Sequence, residues 1–202
     1  MHKLFLISSI CIGINHLATA QTIEFPLREC ARAFYKEDST NTATREQKMK
    51  ELRACVFGKK FPPFKATTTS GKTYSKADLQ GKVVFVTSWF SNCGPCLAEM
   101  PMLNELNTKY KDEGFLLLSF SPENIDQVNA FLKKRPLNYE VFPSSEELIM
   151  YEMQTNYGYP TNIIVNKKGE IVEFKMGTPT DEAGLETAEK EFMEIIEREL
   201  AR

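Results

Sequence analysis

The sequence predicts an α/β fold that follows a short helical extension. From residue 64 onwards, short apolar runs alternate with longer amphipathic segments, and Gly or Pro residues stand between them. Val83–Val86 is an unbroken apolar run, which is typical of a strand buried on both faces of a sheet. A helical pattern from Cys93 to Tyr110 and a second apolar run at Phe115–Phe120 follow it. This strand–helix–strand order predicts a βαβ unit with two parallel strands.

Residues 1–20 have the composition of a secretory signal peptide. Lys3 supplies a basic start, residues 4–14 are mostly apolar, and Ala18 and Ala20 are small residues at the two positions that a signal peptidase reads. The apolar segment is shorter than the ~20 residues that a membrane-spanning helix needs. We therefore predict cleavage after Ala20 and no stable membrane insertion afterwards; a retained membrane anchor is the alternative.

Removal of this peptide would leave residues 21–202 without histidine, because both histidines, His2 and His16, lie before the cleavage site. Ser-His-Asp and Cys-His nucleophiles and the usual His-bearing metal sites are then excluded. The formal charge of −2 gives no reason to expect a nucleic-acid partner. We expect an exported protein with no metal, no cofactor and four cysteines, Cys30, Cys55, Cys93 and Cys96.

Residues 21–60 form the predicted helical extension. Helices are predicted from Glu24 to Lys36 and from Thr44 to Phe57, with a polar loop at residues 38–42 between them. Beyond this extension, residues 61–202 are predicted to form one domain. Its further predicted elements are a turn at 70–72, a helix at 124–134, a strand at 139–142, a helix at 144–154 capped by Ser144 or Ser145, a hairpin with strands 162–165 and 170–174, and a last helix capped by Asp181.

Cys93-Gly94-Pro95-Cys96 directly follows the Val83 strand and opens the next predicted helix. The free N–H groups and the dipole of a helix N-terminus stabilise an anion, so Cys93 is placed to react as a thiolate. Cys96 lies one turn further in and can attack a mixed disulfide formed on Cys93. A static disulfide is the alternative, but it would close almost no loop and so would add little stability.

The chain from about residue 58 onwards resembles exported thioredoxin-fold proteins of the TlpA/ResA type. The matching segments are 58–64 (GKKFPPF), 89–96 (WFSNCGPC), 99–101 (EMP), 157–161 (YGYPT) and 169–171 (GEI). The resemblance implies a thioredoxin-like fold, with a central mixed sheet flanked by helices. It also implies an extra strand–helix insertion within residues 121–155, and thiol–disulfide oxidoreductase activity.

Three catalytic residues follow from this resemblance. Cys93 matches the attacking cysteine and Cys96 the resolving cysteine. Glu99 matches an acidic residue near the thiols that assists proton movement. A partly buried carboxyl would have a raised pKa and could carry a proton in the absence of histidine; a solvent-facing Glu99 is the alternative.

The resemblance also implies five substrate-binding residues. Pro160 matches a cis-proline that faces the active disulfide and exposes the backbone of Tyr159 to an extended partner strand; a trans-proline at an edge strand is the alternative. The others are Trp89, which could equally be a core residue, Asn92 and Thr161. Two positions depart from the family. Asn92 stands where an aromatic or small residue is usual, and Thr87 stands where thioredoxin has a buried aspartate.

Cys30 and Cys55 lie outside the part of the chain that resembles the family. Twenty-four residues separate them, and in an exported chain a structural disulfide is the leading interpretation. Such a bond would tie the two N-terminal helices together and stabilise the protein by ~3 kcal/mol. The alternative is a second redox pair that exchanges electrons with Cys93 and Cys96.

The leading functional hypothesis is a periplasmic or secreted reductase of protein disulfides. The Gly-Pro bridge is shared with thioredoxin, a reductant with a potential of about −270 mV. By family analogy, a membrane thiol-transfer protein would supply electrons. An oxidase or isomerase on the same scaffold and a Cu(I) carrier that binds through the dithiol are the alternatives. A thiol peroxidase is disfavoured, since Phe90 stands where that class has threonine.

Overall fold

The computed structural model describes residues 26–35, 44–155 and 157–202. The predicted signal peptide, both ends of the first predicted helix and the predicted polar loop at 38–42 lie outside the described residues. The described helices are α1 Arg28–Tyr35, α2 Arg45–Val56, α3 Gly94–Tyr110, α4 Ile125–Leu132 and α5 Glu182–Leu200. The described strands are β1 Lys65–Thr67, β2 Thr73–Ser75, β3 Val83–Ser88, β4 Phe115–Phe120, β5 Glu140–Phe142, β6 Thr161–Val165 and β7 Ile171–Met176.

The centre of the fold is a five-stranded mixed sheet with the order β5-β4-β3-β6-β7. Strand β3 pairs with β4 in parallel and β4 with β5 in parallel, whereas β6 runs antiparallel to both β3 and β7. The predicted βαβ unit and the predicted hairpin are thus confirmed. All six residues of β3 are buried, as expected for the central strand of a sheet that is covered on both faces.

Helix α3 places the dithiol at the carboxyl end of β3. Its buried residues, which include Met100, Leu103 and Leu106, pack in one cluster with Phe85 of β3 and Phe192 of α5. The helix continues through Pro101, although a proline removes one backbone hydrogen bond inside a helix. Helices α3 and α5 therefore cover one face of the sheet.

The N-terminal helices cover the other face and share its core. Leu27, Leu52 and Val56 are buried in one cluster with apolar residues of β3 and β6. The chain that leaves α2 also joins the sheet, because the Gly58 N–H donates to the Ile171 carbonyl at 2.8 Å. The described part of the extension is thus packed into the hydrophobic core.

Several predicted helix ends are confirmed by their caps. Thr44 accepts from the Gln47 N–H at 3.2 Å, and Asp181 accepts from the Gly184 N–H at 2.9 Å. Asn124 caps α4 by accepting from the Gln127 N–H at 3.0 Å. Each cap satisfies an N–H group that has no partner within its own helix.

The predicted helix from Ser144 to Gln154 is wrong in extent, and so is its serine cap. The structure has one π-type turn there, Leu148–Glu152. Ser144 has a left-handed φ of 53° and donates its N–H to the Glu123 carbonyl, and the Ser145 hydroxyl donates to the Phe142 carbonyl at 3.1 Å. Because both serines are held by the preceding loops, neither caps a helix.

No helix in the described part of the chain is long and apolar enough to cross a bilayer.

Candidate active site

The site is built around Cys93 and Cys96 at the N-terminus of α3. Cys93 is the N-cap residue, and its Sγ accepts from the Cys96 N–H at 3.3 Å. The two sulfurs form a disulfide in the structure. Cys93 is 5% exposed and Cys96 is 1% exposed. A partner can therefore reach Cys93 more readily than Cys96, which agrees with the predicted order of attack.

The segment Gly158–Thr161 lies beside the site, because Tyr159 packs against the cluster that contains Cys93 and Cys96. The Tyr159–Pro160 peptide bond is cis, as predicted. The Phe90 ring, three residues before Cys93, packs edge-on against the Tyr159 ring with centroids 5.2 Å apart. Gly158 has a φ of 146°, which residues with a side chain rarely adopt, and a Cβ there would lie 2.8 Å from the Met176 sulfur, so a substitution would be strained.

The remaining predicted substrate-binding residues differ in exposure. Asn92 is exposed beside the dithiol, whereas Thr161 is buried and its hydroxyl donates to the Gly158 carbonyl at 2.6 Å. Trp89 is buried in the same cluster as both cysteines, and its indole N–H donates to the Ser119 hydroxyl at 3.2 Å. Trp89 is thus a core residue beside the dithiol, and Asn92 is a polar group at the surface of the site.

Glu99 is buried inside α3, one turn beyond Cys96, with 1% of its surface exposed. Three side chains donate hydrogen bonds to its carboxylate. Thr87 donates to Oε1 at 3.3 Å, Asn162 donates to Oε2 at 2.8 Å, and the Thr178 hydroxyl also donates to Oε2. The alternative of a solvent-facing Glu99 is therefore wrong.

Burial raises the pKa of Glu99 from its ordinary 4.5 to about 7. The hydrogen bonds from Thr178, Asn162 and Thr87 and the charge of Lys175 oppose this rise, because they favour the ionised form. With a pKa near neutrality, Glu99 can both accept and release a proton at physiological pH. The described residues contain no histidine, so Glu99 is a group with a pKa near neutrality in a site without one.

The hydrogen-bonding environment of Glu99 belongs to a row of polar residues that crosses the sheet. Ser119, Thr87, Asn162 and Lys175 are successive register partners on β4, β3, β6 and β7, and we call them the polar row. Paired residues on adjacent strands point to the same face, here the face that α3 and α5 cover. Thr87 stands where thioredoxin has a buried aspartate. In this protein it donates a hydrogen bond to the Glu99 carboxylate.

Sequence reasoning did not identify Asn162, Thr178 or Glu123. Asn162 and Thr178 lie 63 and 79 residues from Glu99 along the chain. Glu123 accepts hydrogen bonds from both the N–H and the hydroxyl of Ser91, and so holds the loop before Cys93. The only signal for Asn162 was a polar residue inside an otherwise apolar strand, residues 162–165.

The predicted disulfide between Cys30 and Cys55 is present, and it lies away from the dithiol. Cys30 is buried in the core cluster on the α1 and α2 side of the sheet, whereas Cys93 and Cys96 belong to the cluster on the α3 and α5 side. Since the sheet lies between the two clusters, direct exchange between the two sulfur pairs has no path within this structure. Among residues 26–35, 44–155 and 157–202, no three His, Cys, Asp or Glu side chains gather as a metal-binding group.

A thioredoxin-like sheet whose central strand leads into a cysteine-capped helix is the structure of a thiol–disulfide oxidoreductase. The Redoxin family matches residues 57–189. The thiol-disulfide oxidoreductase ResA of Bacillus thuringiensis (strain Al Hakam) is 34% identical over 129 residues, which cover 62% of this chain and 72% of the relative. The ResA of Geobacillus kaustophilus is 31% identical over 65% of this chain and 76% of its own. The chain therefore belongs to the redoxin family, among its ResA-type thiol–disulfide oxidoreductases.

Solved structures agree on the fold. A thiol:disulfide interchange protein of the thioredoxin family from Chlorobium tepidum TLS superposes with a TM-score of 0.58 at 24% identity, over 70% of this chain and 95% of that chain. StoA from Bacillus subtilis superposes with a TM-score of 0.53 at 22% identity, over 64% and 96%. At these identities the likeness shows the thioredoxin-like fold alone.

Proposed function

We propose that the protein is an exported reductase of protein disulfides. The Cys93 thiolate attacks one sulfur of a substrate disulfide, that S–S bond breaks, and the released substrate thiolate takes up a proton. Cys96 then loses its proton and attacks Cys93 Sγ, which breaks the mixed disulfide and releases the second substrate thiolate. Two electrons pass to the substrate, and the enzyme ends with a Cys93–Cys96 disulfide.

Glu99 serves as the proton carrier in this scheme. Its carboxylate accepts the Cys96 proton as Cys96 becomes the attacking thiolate, and later returns a proton when the disulfide is reduced again. The single observation that carries the proposal is the pairing of a helix-capping dithiol with a buried carboxyl, Glu99, one turn along the same helix. A structural disulfide would have no need of a buried proton-accepting group.

The substrate is a protein disulfide presented on an extended strand. The backbone of Tyr159 before Pro160 would pair with that strand and Asn92 would line its path, whereas the buried Trp89 and Thr161 would support the site from the core. This role is supported by the cis bond before Pro160, by the packing of Tyr159 against the cysteine cluster and by the exposure of Asn92 beside Cys93.

Export and regeneration complete the proposal. Cleavage after Ala20 would release residues 21–202 to the periplasm or the outside of the cell, as a helical extension of residues 21–60 followed by a thioredoxin-like domain of residues 61–202. A membrane thiol-transfer protein would then reduce the Cys93–Cys96 disulfide. In the structure this pair is a disulfide, which is the form that such a donor would act on.

Trapping of the mixed disulfide tests the order of attack. In Cys96→Ser the intermediate on Cys93 cannot be resolved, so a covalent complex with a model substrate such as insulin should accumulate on non-reducing gels. Cys93→Ser is the matched control and should trap nothing, with insulin reduction at the uncatalysed background. Equal trapping by both variants, or by Cys93→Ser alone, would overturn the assignment of Cys93 as the attacking thiol.

A further inference from the structure

Asn162 is the member of the polar row with the shortest hydrogen bond to Glu99, and the scheme above gives it no role. Its side chain is 0% exposed. One amide N–H donates to Glu99 Oε2 at 2.8 Å, and Nδ2 also lies 3.5 Å from the Thr178 hydroxyl oxygen. The amide oxygen Oδ1 is buried and has no hydrogen-bond partner within the described residues. A buried oxygen without a partner costs free energy, so its presence calls for an explanation.

The hydrogen bonds around Glu99 suit only its ionised form. Thr87, Asn162 and Thr178 all act as donors to the carboxylate. A protonated Glu99 gains an O–H group that needs an acceptor. Each threonine has one hydroxyl hydrogen, which it now donates to Glu99. To accept a hydrogen bond from protonated Glu99, the threonine would have to turn that hydrogen towards another partner.

The Asn162 amide carries the missing acceptor. A half-turn about its Cβ–Cγ bond exchanges the oxygen and the nitrogen, which have nearly the same size and shape, so the core need not repack. We propose that Asn162 is a positioning residue that holds Glu99 in both protonation states, donating to the carboxylate and, after the half-turn, accepting from the carboxylic acid. This inference rests on the proposed function of Glu99 as the proton carrier.

The charged and titratable groups around Glu99 do not provide an acceptor for the O–H group of protonated Glu99. Lys175 from β7 can only donate, and it is engaged with Glu191 of α5 at 2.8 Å. Tyr139, which precedes β5, is buried, and its pKa is raised by that burial and by the charge of Glu99. Its hydroxyl makes no hydrogen bond to Glu99 within the described residues. Cys93 and Cys96 of α3 are the groups whose protons are exchanged. Asn162 is uncharged, so its replacement changes hydrogen bonding without adding or removing a charge.

The half-turn can be observed directly by NMR of the oxidised protein, in which no active-site thiol titrates. With ¹⁵N-labelled Asn side chains, the Asn162 NH₂ protons, whose nitrogen lies 3.5 Å from the Thr178 hydroxyl oxygen, should show NOEs to the Thr178 side chain at about pH 8.5 and weaker NOEs at about pH 5.5, on either side of neutrality. In Glu99→Gln the NOEs should not depend on pH. NOEs that persist unchanged through the Glu99 titration would overturn the half-turn.

A variant comparison tests the effect on catalysis. Asn162→Leu keeps a similar volume but removes both the donor and the acceptor, and should move the midpoint of the rate-against-pH profile upwards by about one pH unit, because the ionised form loses the stronger bond. Asn107→Leu is the matched control; it makes the same change at another buried amide, which lies on α3 and donates to the Asn138 carbonyl at 2.7 Å, and it should leave the midpoint unchanged.

The outcomes separate this inference from the proposed function. If the wild type and Asn107→Leu reduce disulfides but Asn162→Leu keeps the wild-type midpoint, the positioning role of Asn162 is wrong and the reductase proposal stands. If the wild type does not reduce disulfides, the proposed function fails and takes the catalytic role of Asn162 with it. The NMR experiment needs only folded wild-type protein, so it decides the half-turn even where a variant does not fold.

Discussion

The two disulfides of this protein form a natural comparison. The bond between Cys30 and Cys55 spans 25 positions, joins α1 to α2, and lies in a hydrophobic cluster. The bond between Cys93 and Cys96 spans three positions and caps α3, close to a buried carboxyl. Identical covalent chemistry therefore stands in two different surroundings.

The difference between the surroundings teaches what makes a disulfide reactive. A bond that closes a long loop restricts the unfolded chain and so stabilises the fold, whereas a bond that closes a short loop restricts it little. A helix N-terminus stabilises the thiolate that exchange requires, and Glu99 offers a proton acceptor. We therefore expect the first bond to contribute stability and the second to contribute activity.

The largest effects should come from removing each bond in turn. Cys93→Ala with Cys96→Ala should abolish disulfide exchange, because no nucleophile remains, and should change the free energy of unfolding by about 2 kcal/mol. Cys30→Ala with Cys55→Ala should lower the free energy of unfolding by about 3 kcal/mol and leave the exchange rate within about twofold of wild type. Guanidinium unfolding and insulin reduction measure the two quantities.

Each double variant serves as the control for the other. If the Cys30–Cys55 pair is removed and exchange also stops in protein that remains folded, the division of roles is incorrect. The N-terminal bond would then act as a second redox pair, and the comparison between a stabilising and a reactive disulfide would fail.

A smaller effect is expected from Glu99→Gln, seen as a change in how stability depends on pH. The pKa of Glu99 is raised in the folded state, so between pH 4.5 and 7 the folded protein holds a proton that the unfolded chain has released. Stability should therefore fall as pH rises through this window, by about 2.5 kcal/mol between pH 5 and pH 8.

The measurement is urea unfolding of the oxidised chain without residues 1–20, which contains no histidine and no free cysteine to titrate in this range. Glu99→Gln should remove most of the slope. A wild-type profile that is flat between pH 5 and pH 8 would contradict the raised pKa of Glu99.

The smallest effect should come from the contact that holds the loop before Cys93. Ser91→Ala and Glu123→Gln each weaken hydrogen bonds between that loop and the start of α4. If the weakened hydrogen bonds raise the free energy of the reactive position of Cys93 by about 1 kcal/mol, the exchange rate should fall roughly fivefold. Glu105→Gln removes the same charge from an exposed position of α3 and should react at the wild-type rate. If all three variants were equal in rate, the contact would have no part in positioning Cys93.

Much of the fold was predictable because local patterns and the core agree. The apolar run of β3, the helical spacing of α3 and the cap residues Thr44 and Asp181 each fixed an element that the structure confirms. The cysteine pair could be assigned to a site because its place after a buried strand is itself a local pattern. Local patterns failed at Ser144 and Ser145, where loops distant in sequence hold the backbone.

The surroundings of Glu99 could not be predicted, because they depend on strand register. Thr87 and Asn162 meet only because β3 and β6 pair antiparallel with these two residues opposite each other. A shift of one position would turn Asn162 to the other face of the sheet. Thr178 reaches Glu99 from the chain after β7, and no spacing rule connects positions so far apart.

The reduction potential with mapping of each cysteine tests the central claim most directly. The protein without residues 1–20 would be equilibrated in glutathione or dithiothreitol buffers, alkylated, and analysed by mass spectrometry at all four cysteines. We predict that only Cys93 and Cys96 titrate, with a potential near the −270 mV of thioredoxin. A potential near the −120 mV of DsbA would contradict the reductase assignment, and titration of Cys30 and Cys55 in the same range would contradict the division between a stabilising and a reactive disulfide.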